Sequence, residues 1–541
     1  MEEFAALLDR LVLTPARNGK ITLLVDYFRV TPDPHRGLAL AAITGDLDIA
    51  NVKPAMLRAL VTERIDAQLF AYSYDYVGDL AETISLVWSA DEPVRANAAP
   101  SLGDVVQSLA LASRSDALRL VERWLDQLDA SARYALIKLA TGGLRMGVSA
   151  RLAKQALAQF GDVDVVEIEE LWHGLKPPYE ALFAWLENAA DKPQSLAAAP
   201  FRPVMLSTPL EVADYGRINA EDYAAEWKWD GIRVQLAAQG GQRRIYSRTG
   251  DDISNAFPDI ADAMTFEGAL DGELLVGRSA ASGIEIGAFG DLQQRLNRKT
   301  VSAKQLASHP AFVRVYDILF DGVDDVRALP FAERRGRLEA FVKTLEPTRF
   351  DLSPIIAYGT FEDLVELRRN PPHPVIEGLM LKQRSSAYVP GRPKGPWFKW
   401  KRDPFTIDAV LVYAQRGHGK RSSYYSDYTF AVWTGPETEP HLVPVGKAYF
   451  GFTDDELKQL DAYVRNNTTE RFGPVRSVRA EPEHGLVLEV AFEGLNRSKR
   501  HKSGVAMRFP RISRLRWDKP PIEADRLETL EALLRDFEPV D

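Results

Sequence analysis

The chain contains no cysteine. That excludes disulfides, thiolate zinc sites, iron–sulfur clusters and a cysteine nucleophile. Histidine is scarce, with eight residues and none in an HExxH or comparable spacing, so no structural transition-metal site is expected. No run of about 18 uncharged apolar residues occurs, which excludes a membrane-spanning helix. The acidic start MEEFAALLDR lacks the apolar core of a secretory leader, so a cytoplasmic protein is expected. A P-loop is missing too, because Gly417-His418-Gly419-Lys420 does not fit the GxxxxGK[ST] spacing. Positive charge is in short supply: 67 Lys+Arg stand against 76 Asp+Glu, a formal net charge of -9. Taken as an average, that balance argues against a nucleic-acid partner.

What is present changes that picture. At 541 residues the chain is long enough for about three domains, and 45% hydrophobic with 26% charged residues is an ordinary globular composition. Charge is unevenly spread: residues 1–200 hold 19 basic and 27 acidic side chains, leaving a net of only -1 for residues 201–541. Lys382–Arg402 carries seven Lys/Arg and no acid, and Arg497–Lys519 carries nine with one acid, Asp518. Basic character is concentrated in two short segments.

Residues 1–195 read as helical. Leu118, Val121, Leu125 and Leu128 recur on one helical face, and Ser149 is placed to cap a helix that stops at Gly161. Between two such helices lies GGLRMGVS, whose Arg145 is either a solvated turn residue or a phosphate-facing one. A Pro/Ala-rich linker is placed near 190–204. Residues 205–403 mix short β-rich runs (Ala269–Val276, Val313–Leu319, Gly378–Lys382) with helical stretches such as Phe331–Thr344. From 404 to 541 a period of two dominates, as in Leu486–Glu493, which suggests a small β-barrel.

The chemistry-bearing series begins at EWKWDGIRVQL, with Lys228 two residues before Asp230-Gly231. K-x-D-G alone is weak, expected by chance in roughly one of ten chains this long, and a surface hairpin with a Lys–Asp pair would also produce it. Its weight comes from the ordered segments downstream: YSRTG (246–250), LDGELL (270–275), VYDILFDG (315–322), EGLMLK (377–382), WFKWK (397–401) and RFPRISRLRWDK (508–519).

This series resembles the covalent nucleotidyltransferase superfamily of polynucleotide ligases and capping enzymes, and within it the ATP-dependent DNA ligases; the GGLRMGVS region is similar to their N-terminal DNA-binding domain. The resemblance implies an all-α N-terminal domain, an α+β nucleotidyltransferase (ATP-grasp-like ligase) core and a C-terminal β-barrel of the OB-fold type. It implies Lys228 as the nucleophile that takes AMP from ATP, and nucleotide contacts from Glu226, Arg233, Arg248, Glu273, Tyr316, Lys382, Lys399 and Lys401. Tyr316 stands where many relatives carry Phe, and Arg392 is the candidate for the Arg that precedes the Lys399 motif. Glu377 and Glu273 are implied as the carboxylates for Mg²⁺. Arg145, Arg508, Arg511, Arg514, Arg516, Asp518 and Lys519 are implied to meet DNA or pyrophosphate, with Arg402-Asp403-Pro404 as a hinge.

An ordinary Lys, with a pKa of about 10.4, is mostly protonated at neutral pH. Burial and the charges of Arg233, Lys382 and Lys399 are expected to depress Lys228. Lys382, Lys399 and Lys401 are expected together at the phosphates, where charge neutralisation is the main catalytic device. NAD⁺-dependent relatives carry a four-cysteine zinc module that zero cysteines rule out, so ATP is the expected nucleotide. The expected partner is nicked double-stranded DNA, bound by a monomer with no membrane association in the nucleoid-associated cytoplasm. An RNA ligase or capping-type nucleotidyltransferase, or a non-catalytic nick-binding scaffold, stays open as an alternative.

Overall fold

A computed structural model describes every residue except 48, 50–51, 89–98, 145, 194–198, 281–282, 288, 297, 299, 417–423, 437, 474, 499–500 and 538–541. Contacts divide the chain into two compact units, Met1–Pro200 and Phe201–Asp541.

The first unit is built from helices, twelve of them among the described residues. Helix Arg114–Gln127 is capped by Ser113, whose Oγ accepts the Asp116 N–H at 3.2 Å. Val121, Leu125 and Leu128 are buried and Leu118 packs half-buried against the same core, as a 3.6-residue period requires. Ser149 Oγ accepts the Leu152 N–H at 3.2 Å and starts helix Ala150–Gly161, which ends against Asp162 in the left-handed region at φ 52°.

In the second unit two sheets come first. One runs, in spatial order, Thr208–Pro209, Trp397–Lys401, Ile376–Gln383, Tyr223–Trp229 and Ile355–Ile356. The other has Gln242–Ser247, Ile232–Gln239, Gly268–Ala280 and Ala311–Asp321 as its main path. Each sheet buries its outer face: Ala225, Leu379, Leu381 and Phe398 pack with Leu364 of helix Phe361–Arg369, and Val234, Leu270, Leu274 and Val313 pack with Leu338 of helix Phe331–Val342. Helix Phe331–Val342 is pinned by a fully buried ion pair, Arg334 Nε donating to Asp317 Oδ1 at 2.8 Å. The polar residues of both sheets are thereby left on inner faces.

The barrel section follows. Strand Phe405–Arg416 is its hub, pairing with Tyr425–Thr434 and, in its first and second halves, with Val487–Phe492 and Val475–Val478. Leu486, Leu488, Val490 and Phe492 all enter one core with Ile407, Phe430 and Val445, which is the inward set of the predicted alternation. Leu460 and Val464 of helix Asp454–Asn466 and Leu530 and Leu534 of helix Leu527–Phe537 complete that core. The chain is thus all-α, then α+β, then β-barrel. Among the described residues no helix is long and apolar enough to cross a membrane.

Candidate active site

Register builds the site. Across three antiparallel strands Ala224, Lys382 and Trp397 lie side by side, then Glu226, Met380 and Lys399, then Lys228, Gly378 and Lys401. Residues two apart on a strand share a face, so all three rows face the inner side while the residues between them fill the outer core. Opposite them the second sheet presents Arg233, Glu273 and Tyr316, with Arg248 and Thr249 at its edge. The space between encloses about 460 Å³, within the range of small-molecule sites.

Glu377 breaks the alternation. The register shifts between Ile376 and Gly378, a bulge that turns Glu377 toward Lys228. Gly378 adopts φ 147°, and a Cβ there would lie 2.2 Å from the Trp400 carbonyl oxygen, so only glycine permits the bulge. Gly231 has a comparable duty: a Cβ would meet Leu274 O at 2.5 Å, blocking the crossing of the KWDG turn over the Glu273 strand.

Lys228 Nζ donates to Glu377 Oε2 at 2.5 Å, and Lys401 Nζ lies 3.6 Å from the same oxygen. Burial alone would lower the Lys228 pKa, but Glu377 and Glu273 outweigh it and the net direction is upward. The expected depression is therefore not what this arrangement gives. Arg233 cannot supply it, since its guanidinium donates to Asp271 Oδ2 at 2.6 Å, to Tyr388 Oη at 3.1 Å and to Met205 O at 2.6 Å. Burial pushes the Glu273 carboxyl up to about 7, with Lys228 opposing and Glu377 adding to the shift. Lys399 is lowered by burial and by Arg392, Lys228, Lys401 and Arg248. Arg392 itself is exposed and does not line the cavity.

Lys382 stands apart from Lys228 and Lys401 in the sheet. It lies four residues along its strand from Gly378, the partner of Lys228, or about 13 Å at the usual rise. Its Nζ lies 2.7 Å from Glu226 Oε2 and 4.4 Å and 4.7 Å from the Tyr316 and Trp397 ring centroids. Arg335 Nη1 donates to Glu226 Oε1 at 3.2 Å. The motif order groups Lys382 with Lys399 and Lys401, and only the register separates them. Asp271 and Met380 lie inside LDGELL and EGLMLK but carry no expected role, and Tyr388 and Arg335 lie outside every motif; Met380 lines the cavity, while the other three bond to Arg233 or Glu226. Asp271 was legible as an acid inside the apolar LDGELL run, whereas nothing local marks Arg335, which lies 109 residues from its partner.

The barrel motif divides. Arg508 forms a two-pronged ion pair with Asp230 of KWDG, Nη2 donating to Oδ1 at 3.1 Å. Arg511 approaches Glu493 at 3.9 Å, and Glu493 Oε2 accepts from Lys401 at 2.9 Å. These groups line a second cleft of about 160 Å³. Farther along the strand, Arg516 and Lys519 bind Asp408 at 3.1 Å and 2.8 Å, Arg516 also holds Asp518 at 2.9 Å, and Arg514 is exposed. Arg514, Arg516, Asp518 and Lys519 line neither cleft. At the expected hinge Asp403 accepts both Nη groups of Arg368 at 3.0 Å. In the helical unit Arg145 lies outside the described residues; Lys20 Nζ donates to the carbonyl of Met146, the next residue in sequence, at 2.6 Å.

Comparison with known proteins agrees with the order of these motifs. Three family models match: "DNA ligase N terminus" over residues 1–158, "ATP dependent DNA ligase domain" over 205–401 and "ATP dependent DNA ligase C terminal region" over 421–519. A probable DNA ligase of Koribacter versatilis is 31% identical over 99% of this chain and 96% of its own length. A protein of Korarchaeum cryptofilum named DNA ligase 1 is 27% identical over 98% of each chain. In fold, the solved structure named "Pmar-Lig_PreS3" aligns at a TM-score of 0.58 with 14% identity, covering 95% of this chain and 99% of that one. With three family models matched in order and a relative at 31% identity matched over nearly its whole length, the chain belongs to the ATP-dependent DNA ligase family.

Proposed function

We propose that this chain seals nicks in duplex DNA with ATP, through a covalent AMP on Lys228. The observation that carries the residue roles is the Lys228 amine, paired to one bulge carboxylate and flanked by Lys399 and Lys401 on the same inner face. The amine loses a proton and attacks the α-phosphorus of ATP, a P–N bond forms and pyrophosphate leaves. The 5′-phosphate of the nick then displaces Lys228 from AMP, and the adjacent 3′-OH displaces AMP to form the phosphodiester. Lys399, Lys401 and Arg248 neutralise phosphate charge. Arg508 and Arg511 of the barrel contact pyrophosphate or DNA.

Glu377 and Glu273 fit Mg²⁺, a hard cation that takes carboxylate oxygens and keeps several waters. When bound there, the ion would supply further neutralisation of the phosphates. We take 1–195 as the DNA-binding part, 205–403 as the adenylation part and 404–541 as the barrel, acting as a monomer in the cytoplasm on nicked DNA.

Self-labelling tests the reading. With Mg²⁺ and α-labelled ATP, the protein is expected to take an acid-labile, alkali-stable label that Lys228→Ala abolishes. Label persisting in Lys228→Ala would overturn the assignment of the nucleophile.

A further inference from the structure

The barrel brings one acid to a place where the proposed chemistry uses cations. Glu493 follows strand Val487–Phe492, and the residue after it opens a second pairing, Gly494–Arg497 with Val505–Arg508. At this junction its N–H donates to the Arg508 carbonyl at 2.9 Å, so the barrel backbone fixes where the side chain starts. The side chain reaches across the second cleft to the core. There Oε2 accepts from Lys401 Nζ at 2.9 Å, while Oε1 lies 3.9 Å from Arg511 Nη1. Lys401 already has a carboxylate on its own sheet, Glu377, but at 3.6 Å that is the farther of the two.

A carboxylate with one oxygen on a core lysine and the other toward a barrel arginine is arranged as a phosphate between the same cations would be, since both anions accept charge-assisted bonds from such groups. Local charge points the same way. Lys228 and Lys401 against Glu377 alone leave an excess of positive charge, and Glu493 cancels it. The side chains of Lys401, Glu493 and Arg511 are all partly exposed, so exchanging one anion for another costs little. Bracing the barrel against the core does not require this pair. Arg508 and Asp230 do that in the same cleft with a two-pronged contact.

We infer that Glu493 is a positioning residue that takes a phosphate's place between Lys401 and Arg511, so that the triphosphate tail of ATP, or pyrophosphate, must displace it to reach them. The inference rests on the ATP-using reading above and deepens it. Competition for the same two cations weakens the hold on nucleotide and on pyrophosphate together. A carboxylate tethered beside its cations acts at high effective concentration, so it returns to Lys401 as pyrophosphate departs and favours release. Glu493 thereby trades affinity for turnover.

Single-turnover self-adenylylation of the full chain, with Mg²⁺ and α-labelled ATP at varied concentration, tests this in the unaltered protein, Glu493→Gln and Glu493→Asp. Glutamine keeps the size and loses the charge. It should lower the half-saturating ATP concentration about fivefold, the worth of one partly wetted ion pair, with a smaller change in the maximal rate. The pyrophosphate concentration that strips half of the label from the adenylylated protein should fall by the same factor. Aspartate, one methylene shorter, should lower both values by less, and it serves if the glutamine variant does not fold. In a Lys401→Ala background Glu493→Gln should lose most of its effect on both. A Glu493 that only braces the barrel gives the reverse: half-saturating ATP stays or rises, and pyrophosphate becomes no more effective. Either result would overturn the inference, as would a fall that persists undiminished in the Lys401→Ala background. Lys228→Ala run alongside keeps the two readings apart. Label on that variant tells against the nucleophile, whereas failure of the Glu493 inference leaves it unlabelled and the two concentrations unmoved or raised.

Discussion

One cavity holds two kinds of ion pair. At the Glu226 end the side chains of Lys382, Glu226 and Arg335 are 1%, 2% and 9% exposed, and both oxygens of the carboxylate are engaged. At the Lys228 end the side chains of Lys228, Glu377 and Lys401 are 23%, 19% and 39% exposed, and one carboxylate oxygen serves two lysines. The difference decides which pairs can exchange partners. Breaking a fully buried pair strands a charge in a dry environment, while a partly wetted one can trade its carboxylate for a phosphate at small cost. The first end is built to stay as it is, and the second is built to let go.

The largest effect should separate the ends by chemistry. Lys228→Ala removes the group that carries AMP, and sealing of a nicked duplex should fall by about 10⁴-fold or more, the scale seen when a covalent nucleophile is deleted. Sealing of a pre-adenylated nick bypasses that step and should survive far better. Comparable loss on both substrates would mean that Lys228 acts at both ends of the reaction.

Stability should separate them next. Glu226→Ala leaves Lys382 buried without its ion-pair partner, and Arg335 with Glu339 alone, and should cost about 3–5 kcal/mol in urea unfolding. Glu377→Ala breaks a wetter pair and should cost about 1 kcal/mol or less. Equal costs would erase the distinction between scaffold and exchangeable pair.

The contrast also explains what could be read from the sequence. Spacing within a strand was legible: Glu226 and Lys228, or Lys399 and Lys401, are two apart and share a face by the geometry of the backbone. So was the inward set Leu486, Leu488, Val490 and Phe492 of the barrel. Pairing between distant segments was not. Lys382 belongs to the same motif as Glu377, and only the antiparallel register, which sets it against Ala224 and Trp397, sends it to the other end. Arg335 comes from a helix whose sequence shows an ordinary charged surface, and its burial depends on a strand 109 residues earlier. The split of RFPRISRLRWDK has the same origin, since Arg511 lies opposite Ala491 and Arg516 opposite Val487, at different ends of one strand pair.

Cations at the Lys228 end should matter to rate more than to folding. Lys401→Ala should slow self-adenylylation by about 10²-fold, the usual worth of one preorganised transition-state partner, with thermal unfolding nearly unchanged. An unfolding shift as large as that of Glu226→Ala would place Lys401 in the scaffold instead.

The finest test concerns protons. Lys228 is pulled down by burial and held up more strongly by Glu377 and then Glu273. A raised pKa means that the free amine is scarce at neutral pH and grows as pH rises toward that pKa. Acylation of Lys228 by an amine-directed reagent should therefore increase with pH throughout the neutral range. Glu377→Gln removes the larger of the two upward influences while leaving the burial in place, so the curve should move to lower pH by on the order of one unit, the scale of one close charge partner. Glu273→Gln should move it the same way and less, and chiefly above pH 7, because the Glu273 carboxyl titrates at about 7 and exerts its pull only when ionised. A curve that stays put in Glu377→Gln would show that burial alone sets the amine, and the Lys228 end would then be as fixed as the Glu226 end.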